Sequence, residues 1–390
     1  MTDKPTPTLL CLSHLGWDFV WQRPQHLLSR LANHYPLTYV NEPQLVSEDD
    51  GRFPPDAQPY LHPVPADGRI RAWQPIFPHR PDVLTNWRAH YLRLVQSLLP
   101  AAAPPPILWF YTPTPYYLLD HLPAHLVVYD VMDNLAGFKG AAADLPAREA
   151  AVLARADVVF TGGRSLYEER RCRHPNVHLF PSGVEPAHFA QALAPETPVA
   201  PEISRLCANG RSPRAILGYV GVIDERLDLP LLCRLAARHP EWAIVMVGPT
   251  AKIDAADLPR LPNIHYTGSQ PYRLLPRFLK GFDVCLMPFA LNEATRTISP
   301  TKALEYMAAH KPIVSTAVPD VVASWGHIVR IAAGPAEFGA AVSAALAETA
   351  AQRDTRLRRE RQQLAAHTWD HIAAQMHHHL QTALEDNHDA

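Results

Sequence analysis

The chain has 390 residues, enough for two domains of ordinary size, and 47% of them are apolar. A formal net charge of −2 lacks the basic excess of a nucleic-acid binder, so no nucleic-acid partner is expected. Five cysteines without a CxxC pair exclude a zinc framework or disulfide scaffold, and no apolar run reaches the roughly 18 residues that span a bilayer.

Residues 1–7 carry no apolar segment of the signal-peptide kind, and a cytoplasmic location is expected. Residues 8–13 read as a first buried strand. A loop, His14 to His26, follows it, and a helix runs on to about Asn33. Open α/β sheets bind ligands at the carboxyl ends of their strands. That makes Trp17, Asp18, Trp21 and Arg23 candidate ligand residues; the alternative is that the aromatic rings only cover the sheet top. Residues 37–41 form a second strand. The Pro-rich stretch 44–82 holds short strands or an excursion toward a substrate. A helix is expected over 83–99, and strands over 107–111 and 126–130. Asp130 and Asp133 close the latter strand at its carboxyl end, where a carboxylate can bind hydroxyls or take a proton, or merely cap a turn. A helix over 143–155, a strand over 157–161, a further helix and a strand over 176–180 complete the first half. Residues 190–213 read as a linker.

The second half opens with strand 215–220 and the turn at Gly221, where the missing side chain lets backbone approach a ligand. Arg226 follows, its fork suited to phosphate oxygens or to pairing with Asp224 or Asp228. Strand 242–247 ends in Gly248. A strand and loop over 263–272 and a strand over 283–288 lead to Ile298–Thr316, a turn, a helix and a strand. Ser299 is the expected N-cap and Pro300 the first helical residue; Ala303, Leu304, Met307 and Ala308 make the apolar face. Thr301 and Lys302 occupy the first turn, where a cation opposes the helix dipole and needs a bound anion to justify it. Glu305 lies one turn deeper on the same face. The bland reading is a capped helix with a surface Lys–Glu pair. Lys311–Pro312 is expected to stop this helix. The tail from about 335 is helical. Arg356, Arg358, Arg359 and Arg361 read as a solvated face or a peripheral membrane contact, and His377–His379 as a solvent-facing cluster. Strand and helix alternate through both halves, as two doubly wound α/β sheets require.

The segment Ile298–Thr316 resembles the nucleotide-sugar-binding helix of GT-B glycosyltransferases, especially retaining family 4 and its relatives. Pro181–Phe189 resembles the segment that ends the first domain of that family, and the Trp17–His26 loop resembles a subgroup of bacterial cell-surface polysaccharide enzymes. The family's earlier Glu is replaced by Thr297. The resemblance implies two Rossmann-like domains around a cleft: residues 1–190 toward the acceptor, a linker 191–213, residues 214–365 toward the donor, and a helix over 366–390 returning to the first domain through Trp369, Ile372 and Met376. It implies a nucleotide-diphosphate sugar as donor and co-substrate, with no other cofactor and no metal. Gly221, Arg226, Gly248, Ser299, Pro300, Thr301, Lys302 and Glu305 would bind the donor, with Lys302, Thr301 and Arg226 neutralising the diphosphate and Glu305 holding the ribose. Trp17, Asp18, Trp21 and Arg23, with Asp130 or Asp133, would face the sugar and a glycan or lipid-linked acceptor. Retention at the anomeric carbon is implied. A nucleotide-sugar epimerase and a non-catalytic nucleotide-sugar-binding protein are the rival readings.

Overall fold

The computed structural model describes residues 6–47, 57–100, 103–207 and 212–389. Nine strands build the first sheet: β1 (Leu9–Leu12), β2 (Leu37–Val40), β3 (Gln44–Val46), β4 (Tyr60–Val64), β5 (Ile70–Pro78), β6 (Ile107–Phe110), β7 (Leu126–Val131), β8 (Val158–Thr161) and β9 (Val177–Leu179). Their order is β3-β5-β2-β1-β6-β7-β8-β9, all parallel, with β4 antiparallel on β5. Short continuous apolar runs such as LLCL and ILWF are buried throughout, because helices cover both faces of a parallel sheet. Alternation divides them: Leu9 and Cys11 join one core, Leu10 and Leu12 the other.

The second sheet holds β10 (Ala215–Val220), β11 (Trp242–Val247), β12 (Ile264–Tyr266), β13 (Val284–Met287), β14 (Ile313–Thr316) and β15 (Arg330–Ala332). The order β12-β11-β10-β13-β14-β15 is wholly parallel. Connections run outward in opposite directions from β10 and β13, so the crevice at their carboxyl ends is the topological switch point where such sheets bind ligands. The equivalent point of the first sheet lies between β1 and β6.

Several elements differ from expectation in detail. The helix expected over 83–99 is two, Pro81–Thr85 and Trp87–Ser97, broken at Asn86. The linker includes a helix, Pro201–Cys207, whose buried Ile203 packs so close to Gly281 that a β-carbon there would lie 2.8 Å from it; residues 208–211 fall outside the described residues. Arg356 leaves the expected solvated face: it is buried between Glu348 (2.8 Å) and the fully buried Glu360 (2.7 Å). Of the expected solvent-facing histidines only His378 is exposed. His377 stacks on His34 and His379 lies against His178, each pair with ring centroids 3.8 Å apart.

The last helix, Trp369–Asp389, returns to the first sheet, and Trp369, Ile372, Met376 and Leu380 join the core that contains Leu9, Leu27 and Trp109. Gly183 permits this approach, since a β-carbon there would sit 2.8 Å from the Trp369 ring. Among the described residues no helix is long and apolar enough to cross a membrane.

Candidate active site

The helix of the Ile298–Thr316 stretch spans Lys302–Ala308, with Thr301 at its N-cap, two residues later than Ser299. Ser182 from the first half donates its hydroxyl to the Ser299 carbonyl at 3.1 Å, which keeps that residue in the preceding loop. Tyr306 points inward, and its hydroxyl accepts the Val220 amide at 2.9 Å, tying the helix to the end of β10. The stop lies earlier than Lys311–Pro312 suggests. His310 adopts φ 55°, its amide donates to Met307 O (2.9 Å), and the Lys311 amide donates to Tyr306 O (3.0 Å). This is a Schellman closure with histidine in the place that glycine usually takes.

Lys302 therefore stands at the carboxyl ends of β10 and β13. Gly221 has φ 145°, and a β-carbon there would lie 2.5 Å from Lys302 Cε and 2.7 Å from Nζ. Gly248, φ 144°, would place a β-carbon 2.0 Å from the Gly221 carbonyl oxygen. Only two glycines allow these turns and the lysine stem to share the space. The ammonium lies 5.3 Å from the Tyr219 ring centroid and 5.8 Å from that of Phe289. It makes no hydrogen bond or ion pair among the described residues. Burial lowers its pKa from 10.5 to about 8; nearby Arg226 pushes the same way and Glu305 opposes. Glu305, half-buried, is likewise free of hydrogen-bond partners among the described residues. Burial raises its pKa to about 7, against the pull of Lys302. A cation and a carboxylate, each partly stripped of water and uncommitted, face one cavity.

Arg226 is committed on one side. Its guanidinium grips Asp224 with Nε 3.0 Å from both carboxylate oxygens and Nη2 2.6 Å from Oδ2, yet it remains 24% exposed and lines the cavity. Asp133 approaches from the first half on the same cavity, half-buried and with no hydrogen bond of its own among the described residues. Burial raises its pKa, while Arg226 pulls it down.

The first-half wall is the loop after β1. Arg23 does not reach the opening as a free cation. It is buried, with Nε 3.2 and 3.1 Å and Nη2 2.9 Å from the Asp130 carboxylate, and Nη1 donates to Phe180 O at 2.8 Å. Asp130 is fully buried behind it and off the cavity surface, its carboxylate taken up by the Arg23 guanidinium. Trp17 is also buried, edge-on to Tyr39 with centroids 5.0 Å apart. Asp18 and Trp21 do line the cavity. Trp21 Nε1 donates to His26 Nδ1 at 3.0 Å, and His26 stacks on Trp369 with centroids 4.9 Å apart. Burial, Arg30 and His188 hold the His26 pKa well below its ordinary value, so its Nδ1 stays an acceptor.

The cavity, about 600 Å³, thus brings together Asp18, Trp21, part of Arg23, Asp133, Gly221, Arg226, Gly248, Ser299, Pro300, Thr301, Lys302 and Glu305. Trp17 and Asp130 lie behind its wall. Thr297 is fully buried with its hydroxyl unpartnered among the described residues, and Ile298 and Ser299 line the cavity beside it. Phe19 belongs to the aromatic loop 17–23 expected at the cleft, whereas Ser182 and Tyr272 are not among the expected site residues. Phe19 is 47% exposed at the cavity, and Tyr272 donates its hydroxyl to Glu185 at 2.9 Å, joining the halves beside Trp21. The signal for Tyr272 is slight, one aromatic in a polar loop. Among the described residues no cluster of three or more His, Cys, Asp or Glu is placed to hold a metal.

Residues 215–348 match the family described as Glycosyl transferases group 1. They form a glycosyltransferase group 1 domain. A Bacillus subtilis (strain 168) protein assigned to teichuronic acid biosynthesis as a glycosyltransferase, TuaH, is 29% identical over 179 residues, 44% of this chain and 43% of its own length. The match therefore spans less than half of that relative. The α,α-trehalose-phosphate synthase (UDP-forming) of Burkholderia vietnamiensis superposes with a TM-score of 0.71 at 14% identity, over 98% of this chain and 100% of the other. The sucrose-phosphate synthase of Thermosynechococcus elongatus superposes with a TM-score of 0.72 at 16% identity, over 98% and 100%. The architecture is GT-B: two Rossmann-like sheets with the cavity between them.

Proposed function

We propose that this chain is a glycosyltransferase that moves a sugar from a nucleotide-diphosphate sugar to a glycan or lipid-linked acceptor in surface polysaccharide synthesis, with retention. The observation that carries this reading is Lys302, an unpaired ammonium held over two close-packed glycine turns at the switch point of the group 1 domain. A diphosphate is the ligand that explains it. The teichuronic acid relative supports the choice of pathway class.

In this mechanism the turns at Gly221 and Gly248 admit the diphosphate, and Lys302 with the outer edge of Arg226 meets its charge as it leaves. Glu305 accepts from the ribose hydroxyls. The base extends toward Gln270 and Tyr272, which share the cavity. Asp133 and Asp18 accept from sugar or acceptor hydroxyls. The acceptor oxygen bonds the anomeric carbon on the face from which the diphosphate departs, and its proton passes to a departing phosphate oxygen. The protein then supplies no covalent nucleophile, only position, charge and exclusion of water. Charge neutralisation rests on side chains, so the proposal includes no metal or further cofactor. The acceptor's chemistry would bring the chain to the inner face of a membrane.

Calorimetry and thermal shift against a panel of nucleotide-diphosphate sugars test the reading. One donor should bind, with slow nucleotide release to water, and Lys302→Ala or Glu305→Ala should abolish the binding. Conversion of a donor to its epimer without acceptor would identify an epimerase. Binding that survives both substitutions would remove the site from this place.

A further inference from the structure

Asp133 reaches the cavity on a loop that the second half holds from three sides. The chain leaves β7, makes a tight turn at Leu135–Gly137, and presents Phe138 and Lys139 to the opposite domain. Lys139 donates its amide to the Glu225 carboxylate at 3.1 Å. A β-carbon at Gly137 would lie 3.0 Å from the Glu293 carbonyl oxygen, so only glycine fits that contact without displacement. Phe138 carries two cations of the second half on its ring. Lys252 Nζ is 4.6 Å from the ring centroid, and the Arg226 guanidinium carbon is 5.7 Å from it.

Lys252 is exposed, yet its backbone has φ 58°. Among the described residues the other non-glycine with positive φ is His310, which its helix stop explains. A lysine on the surface has no need of so disfavoured a backbone for its own sake. The turn aims the ammonium back over the cleft onto Phe138. It makes no hydrogen bond or ion pair among the described residues; it lies against the ring, and its charge also acts on Asp133 and Glu42.

We infer that Phe138 is a positioning residue: held by Lys252 and Arg226, it docks loop 133–139 of the first half onto the second and thereby fixes Asp133 in the cavity. Arg226 is shared between this contact and the cavity wall. The same guanidinium therefore senses both the departing diphosphate and the docked loop, which links closure of the cleft to the arrival of the carboxylate. This deepens the transferase reading and rests on it for its catalytic meaning; the contact itself does not.

Two measurements on the full chain test it. Hydrogen exchange should show the Lys139 amide protected in the wild type. Phe138→Leu and Lys252→Met should each remove that protection while the β7 amides are unchanged. Nucleotide release from the donor found in the binding screen should fall about tenfold in both variants, the scale of a partly desolvated cation–π contact, with donor Kd within about twofold. Phe138→Tyr and Lys252→Arg should restore both readouts, and Phe138→Leu/Lys252→Met should be no worse than either single change. Retained protection in Phe138→Leu, additive losses in the double variant, or failure of tyrosine to rescue would overturn the inference. Should no donor bind, the transferase reading falls alone, because exchange at Lys139 still decides whether the ring holds the loop.

Discussion

Lys302→Met separates stability from function at a single atom. Holding the ammonium with a pKa lowered from 10.5 to about 8 costs the folded protein roughly 3 kcal/mol at pH 7. Methionine is nearly the same length and packs against Tyr219 and Phe289 with no charge to desolvate. Allowing for relaxation, the variant should be more stable than wild type by about 1–2 kcal/mol in urea. The pH dependence fixes the cause. A depressed lysine pKa means that the unfolded chain binds more protons between about 8 and 10.5, so wild-type stability rises across that window. The gain from methionine should be complete at pH 7 and vanish as pH approaches 10.5. Donor affinity should move the opposite way, falling about 100-fold, the loss of a charge-assisted contact in a partly dry site. A variant that is less stable at pH 7, or that still binds the donor as tightly as wild type, would refute the argument that this charge is held ready for an anion.

Other consequences follow from the same geometry. Gly221→Ala forces a β-carbon to 2.5 Å from Lys302 Cε at φ 145°, and should cost about 2 kcal/mol in denaturant and abolish the donor-induced thermal shift. Asp130→Ala leaves Arg23 charged and buried without its partner; a loss of about 3–5 kcal/mol is expected in chemical denaturation, with the loop at Trp21 disordered in consequence. Donor binding by calorimetry should weaken as pH falls through about 7, because the ribose hydroxyls need Glu305 ionised and burial has raised its pKa to that value. His310→Gly should stabilise the chain by up to about 1 kcal/mol, since glycine adopts the φ of 55° without strain and the Arg356 bond to this residue is made to its backbone carbonyl.

How much of this was legible in the chain depends on what set each feature. The strands were legible because a parallel sheet buried on both faces demands unbroken apolar runs, and LLCL, ILWF and VVFT are such runs. The Lys302–Glu305 pair was legible because a cation in a first helical turn contradicts the dipole, and the contradiction needs no partner to be seen. Asp130 and Asp133 were not separable, since both close the same strand. The fold separates them through Arg23, 107 positions away from Asp130, which claims that carboxylate and leaves the other free. Trp17 and Trp21 divide in the same manner, by packing on Tyr39 for one and by a hydrogen bond to His26 for the other. Local pattern reports what a residue can do; in this cleft, commitment to a distant partner decides what it does. That rule argues for looking at the uncommitted groups first. Lys302, Glu305, Asp133 and Asp18 are the cavity's side chains with charge and no hydrogen-bonded partner among the described residues. Two come from each half, so neither half alone assembles this cavity.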